Sequence, residues 1–218
     1  MTTVRRLALA LAAAGWLGAP PPAAAQVWSF AGADGALERV HFHATGPGVA
    51  EALSGYLAEG RGGVSLGPVS LLAAYGQGHL TPDSGGAAAR DLVTGSVLLA
   101  ARPTSWLRLA AGPSLCAYSV ATTVERWVHW EVHARLTGPV IVGTLRAHAE
   151  GWVALASSVN AGAGAGGAAG GEAGLTVLVP RTPLWARFAY VVDQARLEND
   201  ARTETLERVV LSVGLGAR

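Results

Sequence analysis

An all-β fold, a transmembrane antiparallel up-and-down β-barrel of ten strands, is predicted by three features of the sequence. Apolar and polar residues alternate with a period of two through most of the chain after residue 26, the pattern of strands whose two faces meet different surroundings. Gly- and Pro-containing turns separate these segments. Half of the residues are hydrophobic and only 14% are charged, against about 25% charged in ordinary soluble domains. A solvated outer wall needs more charge than that.

The segments follow in order. Residues 37–44 set Val40 and Phe42 against Arg39, His41 and His43. Residues 52–66 and 69–80 flank Gly67-Pro68, and residues 90–101 and 106–118 flank 102–105. Residues 122–136 contain "RWVHWEVHAR", in which Val128, Trp130, Val132 and Ala134 take every second place. Trp127, His129, Glu131, His133 and Arg135 take the places between. Gly138-Pro139 reads as the next short turn, followed by a strand over 141–157. The Gly/Ala tract over 158–171 reads as a flexible external loop, since Gly is poor in regular elements and common in linkers. Strands over 171–179, 184–196 and 204–217 complete the set, the last with Val209, Leu211, Val213 and Leu215 on one face. The alternative is eight strands plus an N-terminal periplasmic helix, formed by "GPGVAEALSGYLAEG", where Val49, Leu53 and Leu57 lie four apart. Ten is preferred because Gly67-Pro68 matches the other short turns.

The termini and the totals set the compartment. Arg5-Arg6, an apolar run and "PPPAAAQ" have the charged, apolar and small-residue order of a secretion signal. Residues 1–25 are therefore read as a cleaved signal peptide and 26–218 as the barrel domain. A spanning helix needs about 20 apolar residues, and this run is broken by prolines. The net charge of +1 gives no nucleic-acid footprint. Cys116 is the only cysteine, so no intrachain disulfide forms.

Hydrocarbon offers no partner for backbone N–H or C=O, so a sheet in lipid must close. Val128, Val132, Leu136, Leu145, Val153, Leu175, Val177, Phe188, Leu211 and Val213 are expected to face lipid, with Trp130 and Tyr190 near its boundary. The expected interior polar network is His129, Glu131, His133, Arg135, Arg146, His148 and Glu150, in a lumen too narrow for a porin channel. Around a turn at Gly138-Pro139, opposed residues sum to 279 or to 281; 281 would set Glu131 against Glu150 and Arg135 against Arg146, so 279 is expected. Glu131 then faces His148, His129 faces Glu150 and Trp127 faces Trp152, which avoids opposed like charges.

The hairpins, with short turns at one end, longer loops at the other and a final strand at the C-terminus, resemble the small outer-membrane β-barrel proteins of Gram-negative-type bacteria. The resemblance covers almost all of the chain after residue 25. It implies a bacterial outer-membrane location, outer-membrane lipid and the outer-membrane assembly machinery as partners, and loops available to an extracellular ligand. The last strand of that family usually ends in an aromatic residue, whereas this chain ends in Arg218.

The expected role is an integral, non-enzymatic barrel with a structural, surface-binding or narrow-solute function. One alternative is an outer-membrane hydrolase, a protease or lipid-modifying enzyme. It would use the inner Glu/His residues as a general base, or rim residues His79, Asp83, Asp91, Asp193 and Asp200. A second alternative is a soluble secreted barrel that binds an apolar ligand. No motif names a catalytic residue, a cofactor or a metal. His129, His133 and His148, with His41 and His43, are the nitrogen donors a zinc ion would need. "GAGAGG" lacks the Lys and the strand-to-helix setting of a phosphate loop.

Overall fold

A computed structural model describes residues 29–83, 87–120, 123–160 and 164–216, apart from the side chains of Phe30, Val120 and Asp200. The expected signal peptide and Arg218 lie outside the described residues. Ten strands are present: β1 (Ser29–Gly46), β2 (Val49–Leu66), β3 (Val69–Pro82), β4 (Arg90–Ala101), β5 (Leu107–Val120), β6 (Thr123–Ile141), β7 (Leu145–Val159), β8 (Ala165–Leu178), β9 (Leu184–Leu197) and β10 (Thr203–Leu215). Each pairs antiparallel with its neighbours in sequence, and β1 pairs with β10, so the sheet closes. The stretch expected to be helical in the eight-strand alternative is β2.

The strands are longer than expected and absorb most of the loops. β1 and β2 meet at Pro47-Gly48, where Gly48 adopts φ +74°, a left-handed turn position that glycine fills without strain. β5 and β6 are separated by only two residues, and β7 and β8 by residues 160–164. The expected contrast between short turns at one end and long loops at the other is therefore weak. The end at which β1 meets β2, β3 meets β4, β5 meets β6, β7 meets β8 and β9 meets β10 is called the upper end. Residues 29 and 216 lie at the lower end.

Two expectations about local structure are corrected. Gly138-Pro139 is not a turn, because β6 continues to Ile141. The turn is made by residues 142–144, with Gly143 at φ +78° and Thr144 N–H donating to Ile141 C=O at 3.1 Å. Pro139, which has no N–H to give, sits beside a bulge that leaves Val140 without a ladder partner. Nor is the Gly/Ala tract a loop: from Ala165 onward it is β8. Its glycines make room for large inward side chains of β7. A Cβ at Gly170 would lie 2.5 Å from the Trp152 indole, and one at Gly174 would lie 2.8 Å from His148 Cε1.

The outer surface has two zones. Tyr56 lies seven residues beyond Val49, Tyr75 seven before Pro82, Trp130 seven beyond Thr123 and Tyr190 seven before Leu197. All four are exposed. Counted from the upper strand ends, the four mark one aromatic band, the girdle, staggered on β2 and β3 where Tyr56 pairs with His79 and Tyr75 with Gly60. Below it the outward residues include Leu37, Val64, Leu71, Leu99, Val132, Leu136, Val153, Leu175, Phe188, Leu211 and Val213, all exposed and none charged. Above it the outward positions carry Arg39, His41 and His43 on β1, Ser54 on β2, Gln77, His79 and Thr81 on β3, and Asp91 on β4. They continue with Arg126 on β6, Gln194 and Arg196 on β9, and Thr203, Thr205 and Glu207 on β10. Val124, 56% exposed, and the half-buried Val93, Leu115, Val128 and Val192 are apolar exceptions.

The interior is zoned the opposite way. Toward the upper end, Val40, Phe42, Leu53, Leu57, Leu80, Leu92, Tyr118, Trp127, Leu197 and Leu206 form a buried apolar plug inside the barrel. Lower down, most inward places are charged. On β1 both faces change at one step: Leu37 and Glu38 give way to Arg39 and Val40. The expectation of a charged interior therefore holds for the middle of the lumen and fails for its upper part.

Candidate functional site

The candidate site is the lumenal charge network. Period-two geometry places its members: odd positions of β6, even positions of β7 and β8, and odd positions of β9 face inward. On these inward positions His129, Glu131 and His148 are buried and His133, Arg135, Arg146 and Glu150 half-buried.

The register is not the expected one. Arg135 pairs with Glu150, Thr137 with His148, His133 with Trp152 and Glu131 with Ala154, while His129 pairs with Ser157 above a bulge. Moving the turn from Gly138-Pro139 to residues 142–144 shifts the partners from Glu131 to Pro139 by an even number of places, so the faces survive there. The bulge adds one more place above it, which brings Ser157 rather than an even-numbered residue inward opposite His129. Opposite charges still meet across the strands: Arg135 Nη1 donates to Glu150 Oε2 at 3.3 Å.

Two connected clusters result. In the first, His133 is held between carboxylates, Nδ1 at 2.9 Å from Glu150 Oε1 and Nε2 at 3.0 Å from Glu131 Oε2. Arg108 also donates to Glu150 at 3.3 Å. Glu172 receives Arg187 at 2.9 Å, lies 2.6 Å from His148 Nε2 and is 3.5 Å from Arg135. Ser114 donates to Glu131. In the second cluster Arg208 bridges Glu38 at 3.2 Å and Asp193 at 2.5 Å, and Arg61 joins Glu38, at 3.1 Å, to Glu59. Trp152 Nε1 donates to Asp193 at 3.1 Å. Arg146 faces inward opposite Pro139 and Thr176.

The rim candidates do not assemble. His79 and Asp91 form an exposed pair on the outer wall, at 2.8 Å. Asp83 accepts from Ser54 at 2.5 Å. Asp193 lies inside the lumen rather than at the rim, because odd positions of β9 point inward. Asp200 belongs to a 3-10 turn (Glu198–Asp200), and its side chain is outside the description.

The imidazoles are dispersed. His41 and His43 face outward, whereas His129 Nδ1 lies 2.9 Å from Ser157 Oγ. Among the described residues no three His, Cys, Asp or Glu side chains form a metal site. For base catalysis, a hydroxyl nucleophile must bond the imidazole that takes its proton. Ser157 and His129 are the pair in such contact, while Ser114 donates to Glu131 and His133 is held by two carboxylates. Sequence reasoning missed Glu38, Glu59, Arg61, Arg108, Glu172, Arg187 and Arg208. The signal for most of them was available, since each charge sits on the inward parity of a strand already identified.

No family model matches the chain, and no curated protein matches it. Among solved structures, the translocator domain of autotransporter NalP from Neisseria meningitidis is 11% identical, covering 97% of this chain and 94% of that one, with a TM-score of 0.48. An outer membrane channel from Pseudomonas putida F1 is 9% identical, covering 90% and 99%, with a TM-score of 0.45. Ail, the attachment invasion locus protein of Yersinia pestis, is 12% identical, covering 84% and 98%, with a TM-score of 0.36. At these values the likenesses carry no activity or ligand over to this chain, and the barrel stands on its own strand pairing.

Proposed function

We propose that this chain is an integral outer-membrane barrel with a closed lumen, serving as a structural and surface-exposed element rather than a pore. The observation that carries this reading is the double reversal at the aromatic girdle. Below it, apolar side chains face outward and charges face inward, the distribution that lipid requires. Above it, the wall is polar outside and apolar inside, as water requires. Aromatic side chains at the change of zone are placed as interfacial residues are.

Strand length supports the same reading. A transmembrane β-strand needs about 9–11 residues, whereas β1, β2 and β6 have 18, 18 and 19. The excess stands beyond the bilayer. With both termini on the periplasmic side, the upper half projects from the cell. The secretion-type N-terminus read from the sequence fits that route. The apolar plug and the salt-bridged middle oppose conduction.

The test is reconstitution of the refolded chain into liposomes and planar bilayers. The expected result is membrane-integrated protein, resistant to carbonate extraction, without ion conductance. Soluble protein in the absence of detergent would overturn the membrane assignment. Stable single-channel steps would overturn the closed lumen.

A further inference from the structure

The two ends of the barrel differ in their charge. Residues 62–72, 98–110, 137–147 and 175–187 make the four lower turns and the strand ends that run into them. They contain no Asp or Glu, and five arginines: Arg102, Arg108, Arg146, Arg181 and Arg187. The upper end carries Glu51, Asp83, Asp91, Glu125, Glu198 and Glu204 beside its own arginines. Inside the lower mouth, Arg108 and Arg187 reach carboxylates deeper in the lumen. Arg102 and Arg181 lie in exposed turns, between β4 and β5 and between β8 and β9, and neither makes an ion pair among the described residues.

The same turns present apolar groups. Trp106, four places after Arg102, is exposed. Val140, Ile141 and Val142 are exposed where β6 ends, Val142 to 88%. Exposed apolar groups beside guanidiniums without an anionic partner are the composition of a membrane-interface segment. Strand length places these turns. From the girdle to the lower strand ends there are six residues on β3 and on β9, ten on β2 and eleven on β6. A strand needs about 9–11 residues to cross a bilayer, so no strand has length to carry its lower turn beyond the headgroups. At that depth an indole is interfacial, and a guanidinium meets phosphate with two parallel N–H donors. Backbone geometry bears on Arg181 too. Its φ is +62°, a left-handed conformation that glycine adopts more readily than a residue with a side chain. The turn carries a guanidinium where glycine would be under less strain.

We infer that the lower turns bind anionic phospholipid, with Arg102 and Arg181 each holding a headgroup phosphate and Trp106 lying in the same interface. The inference rests on the membrane reading given above, and it adds the class of lipid and the end of the barrel that recognises it.

The test takes the full chain refolded in detergent, with folding verified by heat-modifiable gel mobility. Phosphatidylglycerol or phosphatidylcholine with the same acyl chains is titrated in, and bound lipids are counted by native mass spectrometry. Phosphatidylglycerol is expected to occupy two sites about fivefold or more tightly than phosphatidylcholine, the effect of one guanidinium near each headgroup. Arg102→Gln and Arg181→Gln each remove one of the two, whereas Arg126→Gln, on the outer wall at the upper end, removes neither. Equal uptake of the two lipids by folded protein would overturn the inference. So would retention of both sites in the Arg102→Gln, Arg181→Gln double variant, an equal loss from Arg126→Gln, or displacement of the lipid by inorganic phosphate at matched ionic strength. Integration into liposomes is scored separately. Failure there overturns the outer-membrane reading, while equal lipid uptake by an integrated barrel overturns this inference alone.

Discussion

Below the girdle of Tyr56, Tyr75, Trp130 and Tyr190 the barrel turns Leu211 and Phe188 outward and Arg187 and Glu172 inward. Above it the same strands turn Arg196 and Thr205 outward and Leu197 and Leu206 inward. Both halves share one sheet and one hydrogen-bond ladder. On the membrane reading proposed above, what differs is the medium each wall faces, and each half places charge where that medium tolerates it. In the lower half, charges kept from lipid must neutralise each other across a narrow lumen, and they do so as shared ion pairs. In the upper half water solvates the charges outside, and the lumen packs like the core of a soluble barrel. The girdle is where the two solutions meet. There Arg39 stacks over Tyr56 at 4.9 Å and donates to Ser54 at 3.3 Å.

This contrast is open to direct attack. The largest effects are expected from emptying either interior. Arg208→Ala leaves Glu38 and Asp193 short of a cation in the middle of the lumen and should cost about 3–5 kcal/mol. Trp127→Ala opens a void in the plug and should cost about 3–5 kcal/mol. Denaturant unfolding in liposomes measures both. A near-neutral Trp127→Ala would show that the plug does not carry the stability of the upper half.

Next comes the outer wall. Leu211→Arg places a guanidinium in lipid and should cost about 2–4 kcal/mol, while Thr205→Arg, on the same face of the same strand above the girdle, should cost about 0–1 kcal/mol. Equal costs would dissolve the distinction between the zones. A smaller effect is expected from Gly170→Ala, whose new methyl meets the Trp152 indole; crowding of this kind costs about 1–3 kcal/mol. The same change at Gly60, where a Cβ meets nothing within 4 Å, should be close to neutral. Unfolding midpoints of the pair decide whether β8 is glycine-rich to admit Trp152.

Much of this architecture is legible in the residue order, and the failures have identifiable causes. The inward set from Trp127 to Glu150 follows from alternation alone, and the ten strands from alternation together with the turn at Gly67-Pro68. The register of β6 against β7 does not. Gly138-Pro139 has turn chemistry, but Val140 and Ile141 continue the strand, and Gly143 provides the left-handed residue two places beyond Ile141. The Gly/Ala tract has a linker's composition, and nothing local shows that Gly170 faces an indole from the neighbouring strand. Asp193 looked like a loop acid because it lies near a strand end. Its position on β9 places it on the inward parity.

By itself the sequence determined the two faces of each strand, because they depend on a period of two within one segment, and the strand count once Gly67-Pro68 is read as a turn. Tertiary structure alone decided which charges pair and where the plug begins. Those depend on register and on closure of β1 against β10, which bring together residues as distant in sequence as Glu38 and Arg208. Alternation fixes only which face a side chain occupies, while the depth at which faces from different strands meet is set by the turns and by the stagger of the closed sheet.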